Sequence, residues 1–319
     1  MSQAILFERD QVERLAALAD RPKRLRGDKL LWVDVDQNSA DDAERVGEEF
    51  ELDSSTRRCL AEPNERAIFN DHGRYLHVTA YAPNGEDDAE LVVLECVVGE
   101  NWVITAHEEP IPVLEEFASR ASGSGDTGSL DGPTFLAALL EWVLGSYSAA
   151  FERIEHRLEE FDVNAMRGES DGDEDIERLI EMRREVGKLR RALAAHRPAL
   201  VALTYPELEA LGDYASGERY ESLLRRFEST VQEARDAREA IVGSFDVLIA
   251  RGGQRTNEIM KVLTLASVIL LPGALIAGVM GMNFKVGLFD DPAMFWVVLA
   301  VIVLIAPITI GLAKMWRWI

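Results

Sequence analysis

The side chains of this 319-residue chain best suited to hold a metal cation are Asp246, Asn257 and Asn283, each offering an oxygen. Oxygen donors are what hard divalent ions take, and magnesium in particular gives up its waters reluctantly. A neutral amide can hold such an ion through its water shell without trapping it. Asn283 closes the triplet Gly281-Met282-Asn283, which stands between two long apolar runs. Gly281 lets a helix end and the backbone turn sharply. A helix C-cap is the alternative role for Asn283.

Asn257 starts a second pattern. Steps of three and four lead from it to Met260, Thr264, Ser267, Leu271, Ala274 and Gly278. Backward, the same steps reach Asp246, Glu239 and Asp236. One helix face is thus small or polar within an apolar run and acidic before it, the pattern expected around a cation path. Met260 and Leu271 would form apolar rings that close a pore by excluding water. For Ala274 and Gly278, close packing between membrane helices explains small residues equally well. An acid or amide near a membrane is costly unless it faces water, so Asn257 and Asp246 favour the pore reading. A structural pairing of Asp246 with Arg251 is the competing one.

These residues need elements to carry them. The first apolar run lies between Lys261 and Lys285 and the second between Asp291 and Lys314. Each is about 20 residues long, enough to cross a hydrocarbon core as a helix. The sequence predicts one unbroken helix from about Glu218 to Gly281, with Pro272 freeing a carbonyl or kinking it. At 1.5 Å per residue it would be about 95 Å long and must be packed by neighbours.

The formal net charge is −22. From Arg251 onward six basic residues outnumber three acidic ones, which leaves −25 on the first 250 residues. So acidic a body argues against a nucleic-acid partner. Arg251, Arg255 and Lys261 precede the first run, and Lys314 and Arg317 follow the second. By the positive-inside rule both ends of the hairpin are cytoplasmic and the intervening loop faces outward. Trp296, Trp316 and Trp318 sit where indole rings anchor at headgroup level. Residues 1–10 show no secretory signal. Cys59 and Cys96 form no spaced set and suggest reduced cytosolic thiols.

The preceding body is expected to be a mixed α/β domain. Strands are predicted at Leu30–Val35, Tyr75–Tyr81, Leu91–Val98 and Trp102–Ala106, with a hairpin turn at Gly99-Glu100-Asn101. Ser39 is expected to cap a helix to about Phe50, and Pro110 to start another. Ala121–Gly132 looks like a linker. Helices follow at Phe135–Asn164 and Asp175–Leu203, the latter strained by Pro198. The division expected is 1–132 α/β domain, 133–260 long-helix stalk and 261–319 transmembrane hairpin.

Several chemistries are excluded. Asp171, Asp173 and Asp175 imitate an EF-hand, but Ile176 stands where glycine is needed and Met182 at the twelfth position. His72, His77, His107, His156 and His196 lack zinc-ligand spacing, although His72 and His77 lie close together. No nucleotide loop or nucleophile motif is present, so neither an enzyme nor an ATP-driven pump is expected, nor a cofactor.

The segment Thr256-Asn257-Glu258-Ile259-Met260-Lys261-Val262-Leu263-Thr264, with Pro272, Ile276-Ala277-Gly278 and Gly281-Met282-Asn283-Phe284, resembles the signature of CorA-type divalent-cation channels. Trp32-Val33-Asp34-Val35 resembles the first conserved strand of that family's cytoplasmic domain. The resemblance implies a homopentameric funnel in the inner membrane of a prokaryote, both termini cytoplasmic. It would carry Mg2+, with Asn283, Asn257 and Asp246 touching the ion. Departures from the family pattern are Lys285 after the triplet, Met280 before it, Ala274 in the pore, and Ser222 and Arg225 where acids sense magnesium. They keep open a zinc, cobalt or nickel transporter of the ZntB-like branch, or a non-conducting membrane-tethered sensor or scaffold.

Overall fold

The computed structural model describes residues 3–8, 11–15, 25, 29–63, 67–84, 90–123, 131–167, 172–205, 216–282 and 292–315. The chain divides into two compact units, Met1–Phe245 and Asp246–Ile319.

The first unit is built on a seven-stranded sheet in the order β2-β1-β3-β7-β6-β5-β4. Its strands are β1 (Gln3–Glu8), β2 (Gln11–Leu15), β3 (Lys29–Asp36), β4 (Phe69–Asp71), β5 (Leu76–Pro83), β6 (Leu91–Val98) and β7 (Trp102–His107). Among the described strands, only β3 and β7 pair in parallel. Helices cover both faces, and this is why β3 reads as an almost unbroken apolar run. Leu31, Val33 and Val35 face a core with Ala43, Val46 and Leu60 of α1 (Ala40–Glu49) and α2 (Ser54–Ala61). Trp32 points the other way, its ring 5.4 Å from Phe135 and 6.0 Å from Phe117, centroid to centroid. Its Nε1 donates to Thr105 Oγ1 at 2.9 Å, and that hydroxyl donates to Asp34 Oδ1 at 2.6 Å.

The four expected strands are present within two residues of their predicted ends. Three strands and α2 were not expected. Ser39 precedes α1, but only its carbonyl caps it, accepting from Asp42 and Ala43 N–H at 3.1 and 3.2 Å. Helix α3 (Pro112–Gly123) starts two residues after Pro110 and extends into the supposed linker. The predicted second long helix is divided at His196 into α5 (Gly172–Ala195) and α6 (Arg197–Ala202), with Pro198 in the first turn of α6. There its missing N–H is harmless.

Helix α4 (Gly132–Arg167) begins against the β6–β7 turn, where Gly132 N–H donates to Glu100 O at 2.8 Å. A Cβ on Gly132 would lie 2.0 Å from Gly99 O and 3.1 Å from Trp102 O. Backbone cannot yield as a side-chain end can. Gly132→Ala is therefore expected to cost about 2–3 kcal/mol, the upper range for overpacking. A melting temperature unchanged from wild type would contradict this.

Helix α7 (Ser216–Met280) runs from the first unit into the second without interruption, as the absence of breakers predicted. In the first unit it lies parallel to α4. Tyr220 hydroxyl donates to Pro133 O at 2.8 Å, and Ser244 Oγ to Asp162 Oδ2 at 3.0 Å. The buried positions Tyr220, Leu223, Phe227, Thr230, Ala234, Ala237, Ile241 and Ser244 form one stripe of steps of three and four.

The second unit holds the rest of α7 and α8 (Pro292–Met315). On α8 the half-buried or buried residues are Val298, Ile302, Ile305, Ala306, Thr309 and Ala313, a single helical face. On α7 beyond Lys261 most of the half-buried ones are Leu265, Ile269, Pro272, Gly273, Ile276 and Met280. The two faces meet at Gly273, where a Cβ would lie 3.3 Å from Ile302 Cγ2.

Among the described residues, three helices are long and apolar enough to cross a membrane. They differ in what covers them. In α4 the most apolar 18-residue window is 67% buried, because its side chains serve the core of the first unit. In α7 and α8 the corresponding windows are 0% buried. Only the latter two leave an apolar surface for lipid or neighbouring helices to cover.

Candidate functional site

Within each unit, most of the polar stripe occupies the side of α7 that packing in that unit leaves open. In the first unit, Glu239 lies about 180° around the helix from the stripe packed beside α4, at 100° per residue. In the second unit Met260, Ser267, Leu271, Ala274 and Gly278 lie roughly opposite the face that meets α8, by the same count. Asn257, Met260, Ser267, Leu271, Ala274 and Gly278 are exposed, and Thr264 is half-buried at the flank. Met260 and Leu271 expose 55% and 67% of their surface, an arrangement that water alone does not favour.

The hydroxyls on the stripe have a defined sense. Thr264 Oγ1 donates to Met260 O at 2.7 Å and Ser267 Oγ to Leu263 O at 2.8 Å. Each proton is thus directed into the helix, and the oxygen lone pairs remain outward as acceptors. Donors would repel a cation, and these groups present none.

Asn257 shares a shallow depression with Gln254, Glu258, Met260, Lys261 and Thr264. Gln254, Glu258 and Lys261 are not among the site residues expected from sequence. For Gln254 and Lys261 the signal is present, since they lie three and four residues from Asn257 and so border it on the helix.

The acids do not share one environment. Asp246 and Glu239 are exposed, and among the described residues no ion pair joins Asp246 to Arg251. Asp236 is exposed but lies toward α4, accepting from Gln232 Nε2 at 2.8 Å. Partial burial raises the Glu155 carboxyl of α4 above its usual range, helped by the charges of Asp236, Glu152, Glu159 and Glu233. Asp236 therefore belongs to a group of acids beside α4 as well as to the stripe.

Helix α7 ends as its sequence dictates. Gly281 N–H donates to Ala277 O at 2.9 Å and Met282 N–H to Val279 O at 3.2 Å. Both residues are exposed. Asn283 lies outside the described residues, as do Lys285, Asp290, Asp291, Trp316, Arg317 and Trp318. Of the imagined EF-hand, Asp171 also lies outside them, whereas Asp173 and Asp175 sit in the first turn of α5, where acids complement the helix dipole.

A family model of CorA-like Mg2+ transporter proteins matches residues 27–313. The cobalt/magnesium transport protein CorA of Methanocaldococcus jannaschii is 24% identical over 295 residues, covering 91% of this chain and 92% of that protein. Among solved structures, the complete CorA magnesium transporter from the same organism superposes with a TM-score of 0.77 at 21% identity, covering 98% of this chain and 97% of that one. The cytoplasmic domain of ZntB from Vibrio parahaemolyticus superposes with a TM-score of 0.62 at 14% identity, over 79% of this chain and 98% of that domain.

Proposed function

The chain belongs to the CorA-like Mg2+ transporter family, whose members move divalent cations across membranes, and from that premise we propose that it conducts Mg2+ through a pore built by five copies of itself. Two spans per chain cannot enclose a water path, so several copies must surround one axis, and closed cyclic symmetry is the usual solution. The observation that carries this reading is the position of the stripe on α7. In the first unit Glu239 faces away from α4, and in the second unit Met260, Ser267, Leu271, Ala274 and Gly278 face away from α8, which supports a stripe turned to the symmetry axis.

In this arrangement residues 1–132 form the cytoplasmic α/β domain, 133–260 the stalk and 261–319 the membrane hairpin of an inner-membrane protein. Both termini are cytoplasmic. Asn283 holds the hydrated ion at the outer mouth, and Asn257 meets it at the inner end of the span. Met260 and Leu271 form the apolar constrictions, and Thr264 and Ser267 offer acceptors between them. Glu239 and Asp246 raise the local cation concentration in the vestibule below, with Asp236 at its edge.

Flux into liposomes carrying the purified protein tests the reading. Mg2+ uptake competed by Co2+ and Ni2+ is expected. Absence of flux for every divalent ion would leave a membrane-tethered sensor or scaffold instead. The second reading, a Zn2+ transporter, is kept open by Lys285, Met280 and Ala274, which depart from the common family pattern. Uptake of Zn2+ that excess Mg2+ does not compete would select it.

The acidic ring makes a further expected result. Asp246→Asn should lower uptake about tenfold at low ionic strength, the lower end of what electrostatic focusing contributes. Raising monovalent salt to 0.1 M, where screening acts over about 10 Å, should narrow the gap to wild type. A loss of melting temperature with flux per folded protein unchanged would instead make Asp246 a structural residue.

A further inference from the structure

A metal-ligand set lies in the first unit, apart from the α7 stripe. Cys59 of α2, His77 of β5 and Glu95 of β6 bring a sulfur, a ring nitrogen and a carboxylate oxygen within 4.8 Å of one another. Strand register is the cause. Thr79 pairs with Glu95 and His77 with Val97, so His77 and Glu95 are diagonal neighbours on one face of the sheet. That face is the one covered by α1 and α2, since Val97 packs there with Val46 and Leu60.

The set is built into the core. The side chains of His77 and Glu95 are 1% and 0% exposed, while Cys59 is half-buried at the rim. His77 Nε2 lies 2.9 Å from Glu95 Oε2, and Thr79 Oγ1 donates to that same oxygen at 2.7 Å. The other carboxylate oxygen, Glu95 Oε1, is buried and has no hydrogen-bond partner. A buried carboxylate oxygen in that state is unfavourable, and an ion is one of the few things that explains it. A second such oxygen, Gln37 Oε1, belongs to the side chain whose amide donates to Cys59 O at 2.8 Å.

The geometry points to a resident transition-metal site of Cys59, His77 and Glu95, selective for Zn2+ or Co2+ over Mg2+. Thiolate and imidazole ligands select such ions, whereas magnesium takes oxygen ligands in an octahedron. A thiolate and a carboxylate cancel the charge of a divalent ion, so the loaded site brings no net charge into the core. Tetrahedral zinc has ligand bonds of about 2.0–2.3 Å, which sets ligand separations of about 3.3–3.8 Å. The three atoms lie within 4.8 Å of one another and would close to that spacing around the ion. Water takes the fourth position from the exposed side of Cys59. The ion would fasten α2 to β5 and β6, making the first unit responsive to a metal other than the proposed cargo.

Cobalt spectroscopy on the full-length protein in detergent tests the site. After stripping with a chelator, Co2+ titration should produce thiolate-to-cobalt charge-transfer absorption that saturates at one ion per chain. Zn2+ should abolish it, and a hundredfold excess of Mg2+ should not. Cys59→Ser should remove the absorption and weaken Zn2+ binding more than the 10–100-fold that loss of an outer-shell partner costs. Cys96→Ser should leave both unchanged, because Cys96 follows Glu95 on β6 and so points to the opposite face of the sheet. Wild-type protein without the thiolate signal, or a signal that survives Cys59→Ser, overturns the site. The α7 stripe contains no cysteine, so ions bound there give no such absorption, and this outcome is independent of the flux measurement.

Discussion

Asn283→Ala is expected to reduce Mg2+ uptake at least about tenfold while the first unit melts as in wild type. The amide oxygen accepts from the water shell of the ion, and alanine offers no acceptor. Hydrogen bonds that involve a charged partner are worth about 1.5–3 kcal/mol each, and 1.4 kcal/mol is a factor of ten. Five copies change at once in the proposed assembly, so the single-bond figure is a lower bound. Asn283→Gln keeps the acceptor and displaces it by one methylene, and should retain part of the flux. Wild-type uptake by the alanine variant, at equal protein level in the liposomes, removes Asn283 from the mechanism.

The second large effect concerns acid. His196 is 4% exposed at the junction of α5 and α6. Its Nε2 accepts from Tyr81 N–H at 2.8 Å, and Nδ1 lies 3.2 Å from Leu193 O, so the neutral ring is held with its proton on Nδ1. Burial lowers its pKa to about 4, against a smaller opposing effect of the Leu193 carbonyl. An unfolded histidine titrates near 6.5. Between those values the unfolded chain binds the proton and the native chain does not, so stability falls as pH falls. The contribution is fully present above about pH 6.5 and lost on descent to about 4, on the order of 3 kcal/mol in total. His196→Gln keeps an acceptor for Tyr81 N–H and does not titrate. Thermal melts at pH 7.5 and 4.5, followed through the tryptophans, should show the variant losing much less than wild type. Equal losses would show that other groups control the acid response.

What the sequence shows and what it hides follow from range. Strands β3, β5, β6 and β7 are legible because each is a short apolar run covered on both faces, a property of its own residues. Strand β4, Phe69-Asn70-Asp71, has no such property and is a strand because β5 pairs with it. Helix α2 buries only Thr56 and Leu60, too few for a visible period. The run Ala4–Phe7 is apolar enough, but short, and its strand state comes from neighbours on both sides. In α7 the repeat of the stripe is local and could be counted, whereas the face that α8 covers depends on packing. Cys59, His77 and Glu95 come from three elements and share no spacing, so only the β5–β6 register and the packing of α2 on that face make them visible. Asp236 shows the reverse problem, since the repeat places it with Glu239 and folding turns it toward Glu155.

Helix α4 has a consequence for biosynthesis. Until the sheet forms, the chain carries a third segment long and apolar enough, by length and composition, to enter a bilayer. Protection comes from order in time. About 94 residues separate Arg167 from Lys261, which takes about 5–20 s to synthesise at 5–20 residues per second. Mixed α/β domains fold well inside that interval. The sheet can therefore enclose α4 before the first true span leaves the ribosome. A change that slows closure over α4, such as Gly132→Ala at its first residue, would lengthen the time in which three segments rather than two compete for the membrane. Its effect in cells should then exceed its effect on the purified protein, with some copies inserted in the wrong topology rather than merely unfolded.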